Sequence, residues 1–209
     1  FRPTIYSKVV SDNPTVKTRS DFNTIFTESN TGTLYKTTES ISGNDGVPVY
    51  YFAGNAKNNW VKFAGYYWRI IRTNHDGSVR LLYSGTSPDT TKGYILESPF
   101  NSVLNDPMYV GYMYGTSGTL ALNRTNENDS TIKGIIDTWY SKNLSSYAKY
   151  LSKEAIYCND REIGSGTYNL GSDMFTFASR SRLENKIPTY NCTNIKDAFS
   201  GSNSEAKLT

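Results

Sequence analysis

VYYFAGNAKNNWVKFAGYYWRIIRTNHDGSVRLLYSGT, residues Val49 to Thr86, is the stretch on which the fold turns. Tyr66–Arg72 and Ser78–Tyr83 are dense in aromatic and β-branched residues, which favour a pleated, half-buried surface. They flank Asn74-His75-Asp76-Gly77, whose Asp-Gly pair suits the positive φ angles of a tight hairpin. Alternation along the first strand puts Tyr66, Trp68 and Ile70 on one face and Tyr67, Arg69 and Ile71 on the other. Both faces carry apolar surface, so a helix is expected on one and a further layer on the other. Upstream, Val47–Phe52 reads as a strand entered through Pro48, and Asn55–Asn59 as a polar turn. Trp60–Phe63 reads as a second strand, with Ala64-Gly65 permitting a bend. The expectation is an antiparallel meander of three or four strands with Trp60, Trp68 and Ile70 in its core.

Outside this stretch the signals thin. Residues 1–40 are rich in Thr, Ser and Asn, and read as an extended N-terminal arm or leader. Phe1–Val10 suits an extended strand, broken at Asn13-Pro14. Either the arm packs on a neighbouring subunit or it is tied down by Ile5, Val9 and Phe26. The domain proper is then 41–209. Ser84–Ser130 is punctuated by Gly and Pro at short intervals, with Tyr109–Tyr114 as its one short strand. A loop this long inside a compact domain is commonly functional, which marks Tyr94, Tyr109, Tyr112 and Tyr114 as candidate binding residues. A helix is predicted over Thr131–Tyr140, capped by Asp129 or Ser130, with Ile132, Ile135, Ile136 and Trp139 on one face. Asn143 interrupts it, and Tyr147, Tyr150 and Leu151 continue the apolar stripe. Met174–Ala178 suggests a late strand. Strands, one main amphipathic helix and long loops define the α+β class.

Composition narrows the functional classes. The 209 residues include 17 Tyr against 9 Phe and 3 Trp, the make-up of an exposed β-rich surface in which tyrosine rings cover area while their hydroxyls stay wet. The 22 Lys+Arg and 19 Asp+Glu give a net charge of +3, scattered along the chain without the basic stripe of a nucleic-acid binder. No apolar run reaches membrane-spanning length. The two cysteines, Cys158 and Cys192, pair most simply as a disulfide in an oxidising compartment, with two buried free thiols as the alternative.

Catalytic signals are weak. His75, the one histidine, falls in the hairpin turn with no identifiable partner. Asn126–Ser130 places oxygen ligands at alternate positions as a calcium loop does, but Thr131 stands where such a loop requires glycine, so a helix cap accounts for it better. Asp160, Glu162 and Asp173 are the candidate carboxylates of a hydrolase, with surface charge as the simpler reading. Asn123, Asn128, Asn143 and Asn191 each begin a glycosylation sequon. No cofactor motif is present.

Three segments resemble a group of bacterial surface and secreted modules related to the C-type-lectin-like fold of formylglycine-generating-enzyme-type domains. They are Val61–Ile71 with its Asp-Gly hairpin, Ser130–Tyr140, and Ala155–Arg161. The resemblance covers roughly residues 35–209. In such modules the chain runs on past a segment like Ala206–Thr209 into closing strands, so either this domain continues beyond Thr209 or another chain completes its sheet. The resemblance implies a non-enzymatic extracellular or cell-surface module, binding a partner protein or glycan through its loops and tyrosines. The alternatives are a pilus or filament subunit completed by strand exchange and a secreted carboxylate-based hydrolase.

Overall fold

A computed structural model describes residues 4–19, 22–23, 26–29, 31–37, 48–74, 76–88, 93–103, 109–166, 175–189, 192 and 197–202. The fold is α+β. The chain forms two compact units, Phe1–Leu96 and Glu97–Thr209, so the division falls inside the long loop region and not at residue 40.

The first unit opens with a helix where the sequence suggests extended chain. Helix α1 spans Ile5–Asp12; the Thr4 side chain caps it by accepting from the Ser7 N–H at 3.2 Å. The i,i+4 pair Lys8–Asp12 closes its exposed side. Ile5 and Val9 also recur at i,i+4, which puts Val9, 5% exposed, into the core. Asn13 ends the helix, its Nδ2 donating to the Val9 carbonyl at 2.9 Å just before Pro14. Six strands follow: β1 (Val16–Lys17), β2 (Leu34–Lys36), β3 (Tyr50–Phe52), β4 (Trp60–Phe63), β5 (Tyr66–Thr73) and β6 (Val79–Tyr83). The described residues within 1–40 thus contribute a helix and two strands to this unit.

The sheet is built on β5. β6 lies along one edge, while β3 and β4 both lie along the other, β4 opposite Tyr66–Arg69 and β3 opposite Arg72. The expected meander is therefore replaced by two strands in tandem on one edge. Asn59 makes this possible, because its carbonyl accepts from Ile70 N–H at 2.8 Å and its Nδ2 donates to Ile70 O at 2.9 Å. One asparagine fills the ladder position between the two strands, so no backbone group of Ile70 is left dry. Outward, β3 pairs β2 antiparallel and β2 pairs β1 in parallel. The core forms on one face around Val9, Leu34 and Ile70, with Val16, Tyr50, Phe52, Val61, Val79 and Leu81 against them.

Both hairpin turns follow their sequence. Asn74 N–H donates to Ser78 O at 2.8 Å, Gly77 takes φ +80°, and the Asp76 carboxylate accepts from Ser78 N–H at 2.9 Å. His75 lies outside the described residues. The β4–β5 connection is a two-residue turn with Ala64 at φ +52° and Gly65 at φ +83°, the paired positive angles of a type I′ turn.

The second unit is held differently. Short ladders pair β7 (Met113–Tyr114) with β8 (Asn128–Asp129), β9 (Tyr157–Cys158) with β12 (Ala198–Phe199), and β10 (Ile163–Gly166) with β11 (Phe175–Phe177). Between them lie α2 (Leu120–Asn123), α3 (Thr131–Asn143), a 3-10 helix (Ser145–Tyr150) and α4 (Ala178–Asn185). Ser130, not Asp129, caps α3, its Oγ accepting from Lys133 N–H at 3.2 Å. The apolar stripe Ile132, Ile136 and Trp139 is only half-buried. The largest fully buried side chain among the described residues is a cation, Arg161, at 0% exposure. Its Nε donates to Asp197 Oδ1 at 2.7 Å, Nη1 to Asn123 O at 2.8 Å, and Nη2 to Arg124 O at 3.0 Å and Asn126 Oδ1 at 2.6 Å. The Arg161 backbone N–H also donates to Asp197 Oδ2. Cys158 and Cys192 form a disulfide across 34 positions, worth about 4 kcal/mol by the loop-entropy argument.

Two stability changes follow. Ala64→Asn gives the I′ turn a residue that tolerates positive φ, and should raise the unfolding free energy by about 0.5–1 kcal/mol in urea titration. Asp197→Ala strands the Arg161 charge in a dry site and should cost about 3–5 kcal/mol, read by the same titration.

Candidate binding surface

The residues available for recognition on the first unit lie on the sheet face opposite its core. Register fixes which they are. Trp60 stands opposite Arg69, Lys62 opposite Tyr67, and Arg69 opposite Leu82, so these side chains share one face. A bulge between Ile70 and Arg72 places Ile71 and Arg72 together opposite Arg80, and returns Thr73 to the core side. Thr73 is fully buried, and its Oγ1 accepts from Tyr50 N–H at 2.9 Å. Trp68 and Ile70, at 9% and 6% exposure, point the other way; Ile71 and Leu82, at 44% and 57%, remain open. Among the described residues the further layer expected here is seen at the β2 end, where Phe26 and Tyr35 stack at 5.3 Å and Tyr35 and Tyr51 at 5.7 Å.

Cations and rings alternate on the open part. The Arg69 guanidinium lies 4.9 Å from the Trp60 ring centroid and the Lys62 ammonium 5.5 Å from that of Tyr67. Arg69 Nη2 also donates to Ala56 O at 2.6 Å and Asn59 Oδ1 at 3.2 Å. Among the described residues these partners are all neutral. Strands β3 to β6 carry Lys62, Arg69, Arg72 and Arg80 and no Asp or Glu. The outer face of β4, β5 and β6 is thus a cationic, aromatic and partly apolar surface.

The tyrosines marked by the loop argument divide between the units. Tyr94, in the first, is 54% exposed. In the second, Tyr109 and Tyr114 meet edge to face at 5.0 Å, so each occupies the other. Tyr112 stacks on Phe199 at 5.6 Å, and Phe199 on Tyr157 at 5.7 Å. Lys133 sits over Tyr112 at 5.9 Å, between Asp129 at 3.1 Å and Asp137 at 2.6 Å. Burial pulls the Lys133 pKa down, but the hydrogen bonds it donates to the two carboxylates outweigh this and the net direction is up. Burial pushes Tyr112 up to about 12, with Asp137 adding to the shift and Lys133 opposing it.

The remaining candidates have structural partners. Asp160 pairs with Arg182, and Glu162 with Arg124; Asp173 lies outside the described residues. Of the calcium-loop positions, Asn126 bonds Arg161 and Ala198, while Asp129 and Asp137 hold Lys133. Among the described residues no group of three His, Cys, Asp or Glu side chains could hold a metal ion. Asn123 is fully buried, which seals that sequon, and Asn191 lies outside the described residues. No described helix is long and apolar enough to cross a membrane.

No known protein family, curated protein or solved structure matches this chain.

Sequence reading missed Lys62, Arg69 and Leu82 as a group because register, not spacing, gathers them. A signal was present: the 29 residues Val47–His75 contain four Lys or Arg and no carboxylate.

The Tyr112 environment is testable. An unfolded tyrosine ionises near pH 10, so a folded value near 12 leaves stability unaffected below pH 10 and lowers it between 10 and 12. Phenolate absorbance should show a late-titrating component near pH 12 that Tyr112→Phe diminishes.

Proposed function

We propose that this chain is a non-catalytic extracellular recognition module on a C-type-lectin-like scaffold, and that it binds its target through the outer face of β4, β5 and β6. The observation that carries the reading is the open, carboxylate-free strand face bearing Trp60, Lys62, Tyr67, Arg69, Ile71 and Leu82. A sheet face with no recognition role is more simply covered or made uniformly polar; here apolar and aromatic groups stay half-open beside cations. Rigid strands also position such groups more closely than loops do. The Cys158–Cys192 disulfide is compatible with an oxidising, extracellular setting.

A second reading has one observation in its favour. β6 pairs with β5 alone among the described residues, which leaves its far edge, Val79–Tyr83, open to an added strand from another chain, as a filament subunit requires.

Leu82→Glu places a charge at an exposed position and should leave the thermal transition unchanged. It should also remove retention of the chain on a glycan array and in a cell-adhesion assay. If array and adhesion are both empty for the natural sequence while a broad hydrolase screen is positive, the reading fails.

A further inference from the structure

We propose that the ligand of this face is an acidic polysaccharide, a glycan bearing carboxylate or sulfate groups, held by Lys62 and Arg69; the proposal rests on the reading of the face as the recognition surface. A cation paired with a carboxylate has little attraction left for a second anion. A cation over a ring is held in place by a quadrupole and keeps its full charge. Lys62 and Arg69 are both held in the second way, over Tyr67 and Trp60, with only neutral partners among the described residues.

Position adds to charge. Lys62 faces Tyr67 across the β4–β5 ladder, so Arg69 is its diagonal neighbour, about 7–8 Å away by sheet geometry. Anchoring of Arg69 Nη2 to Ala56 and Asn59 fixes the plane of the guanidinium and leaves the N–H groups of Nη1 and Nε as separate donors for an anion. Beside it Leu82, directly opposite Arg69, offers an apolar surface suited to the C–H face of a pyranose ring. Anionic groups repeated along a sugar chain match two fixed cations flanked by apolar surface.

Single-stranded nucleic acid is the competing polyanion. It binds by stacking bases on open aromatic faces, and here Trp60 and Tyr67 each already carry a cation. The rings in this arrangement position charges; they are not platforms for bases.

The test is calorimetric binding of the full chain to polygalacturonate and to dextran sulfate. Neutral dextran, an oligo-dT of similar charge and phosphatidylserine vesicles serve as comparisons. The expected result is binding to the two acidic glycans that weakens as salt rises and exceeds binding to neutral dextran by at least about tenfold. Lys62→Glu, at an exposed position without an acceptor among the described residues, should lower affinity about tenfold or more with an unchanged thermal transition, and Lys62→Arg should retain it. Arg69→Gln is the companion variant, read only if its near-ultraviolet dichroism matches the natural chain. Unchanged affinity in Lys62→Glu, or oligo-dT or vesicles binding as tightly as the glycans, would overturn the proposal. Binding to a neutral glycan that Leu82→Glu abolishes and Lys62→Glu spares also overturns it, yet leaves the recognition reading standing. Absence of binding to every glycan tested overturns the proposal and leaves the recognition reading to the cell-adhesion assay.

Discussion

Burying a guanidinium without water costs several kcal/mol unless its donors are met, and the second unit is arranged around meeting those of Arg161. Its partners come from Asn123 at the end of α2, from Arg124 and Asn126 just after it, and from Asp197 beside β12. Two further links join the same segments: the β9–β12 ladder and the Cys158–Cys192 disulfide. Asn159 extends the network, accepting from Tyr112 N–H at 2.6 Å and donating to Asn126 Oδ1 at 2.9 Å. A network of this kind sets one arrangement of four chain segments, because any shift leaves a buried polar group unpaired. Asp160, at φ +63°, makes the local turn that sends Arg161 inward while Asp160 and Glu162 meet Arg182 and Arg124 nearer the surface.

The first unit reaches its order by another route. Its centre is apolar, and its geometry is set by register. A one-residue slip of β5 would carry Trp68 and Ile70 to the outer face and Arg69 into the core, an exchange costing several kcal/mol in burial and desolvation. Asn59 and the bulge before Arg72 are the two places where the ladder departs from regularity, and each settles the fate of one residue. Asn59 lets β3 and β4 share an edge; the bulge turns Thr73 to the core and keeps Ile71 and Arg72 outside together.

Local patterns in the sequence told much of this and topology told little. The hairpin of β5 and β6, the helix after Ser130 and its end at Asn143 are legible because strand alternation, turn residues and helical spacing are short-range signals. The disulfide is legible because two cysteines admit one pairing. Helix α1 is not, since its signals are a Thr4 cap and a few i,i+4 neighbours inside a polar stretch, and burial of Val9 under the sheet provides the rest. The tandem arrangement of β3 and β4 depends on one asparagine side chain, which no periodicity reveals. Burial of Arg161 carries no signal in the sequence, because arginine is nearly always exposed.

The candidate surface shows the same limit from the other side. Along the chain Lys62, Arg69, Arg72 and Arg80 are isolated cations in a nearly neutral protein, and a search for basic runs passes over them. Folding places them on three neighbouring strands, and strand alternation together with the bulge between Ile70 and Arg72 brings all four to one face. The aromatic residues between them, which composition assigns to covering surface, hold Lys62 and Arg69 at fixed positions without neutralising them. The contrast with Arg161 is the useful one: a charge closed in by carboxylate and carbonyls stabilises the fold, and a charge laid on a ring stays available to a ligand. The same residue type serves two ends in one chain, and its partners decide which.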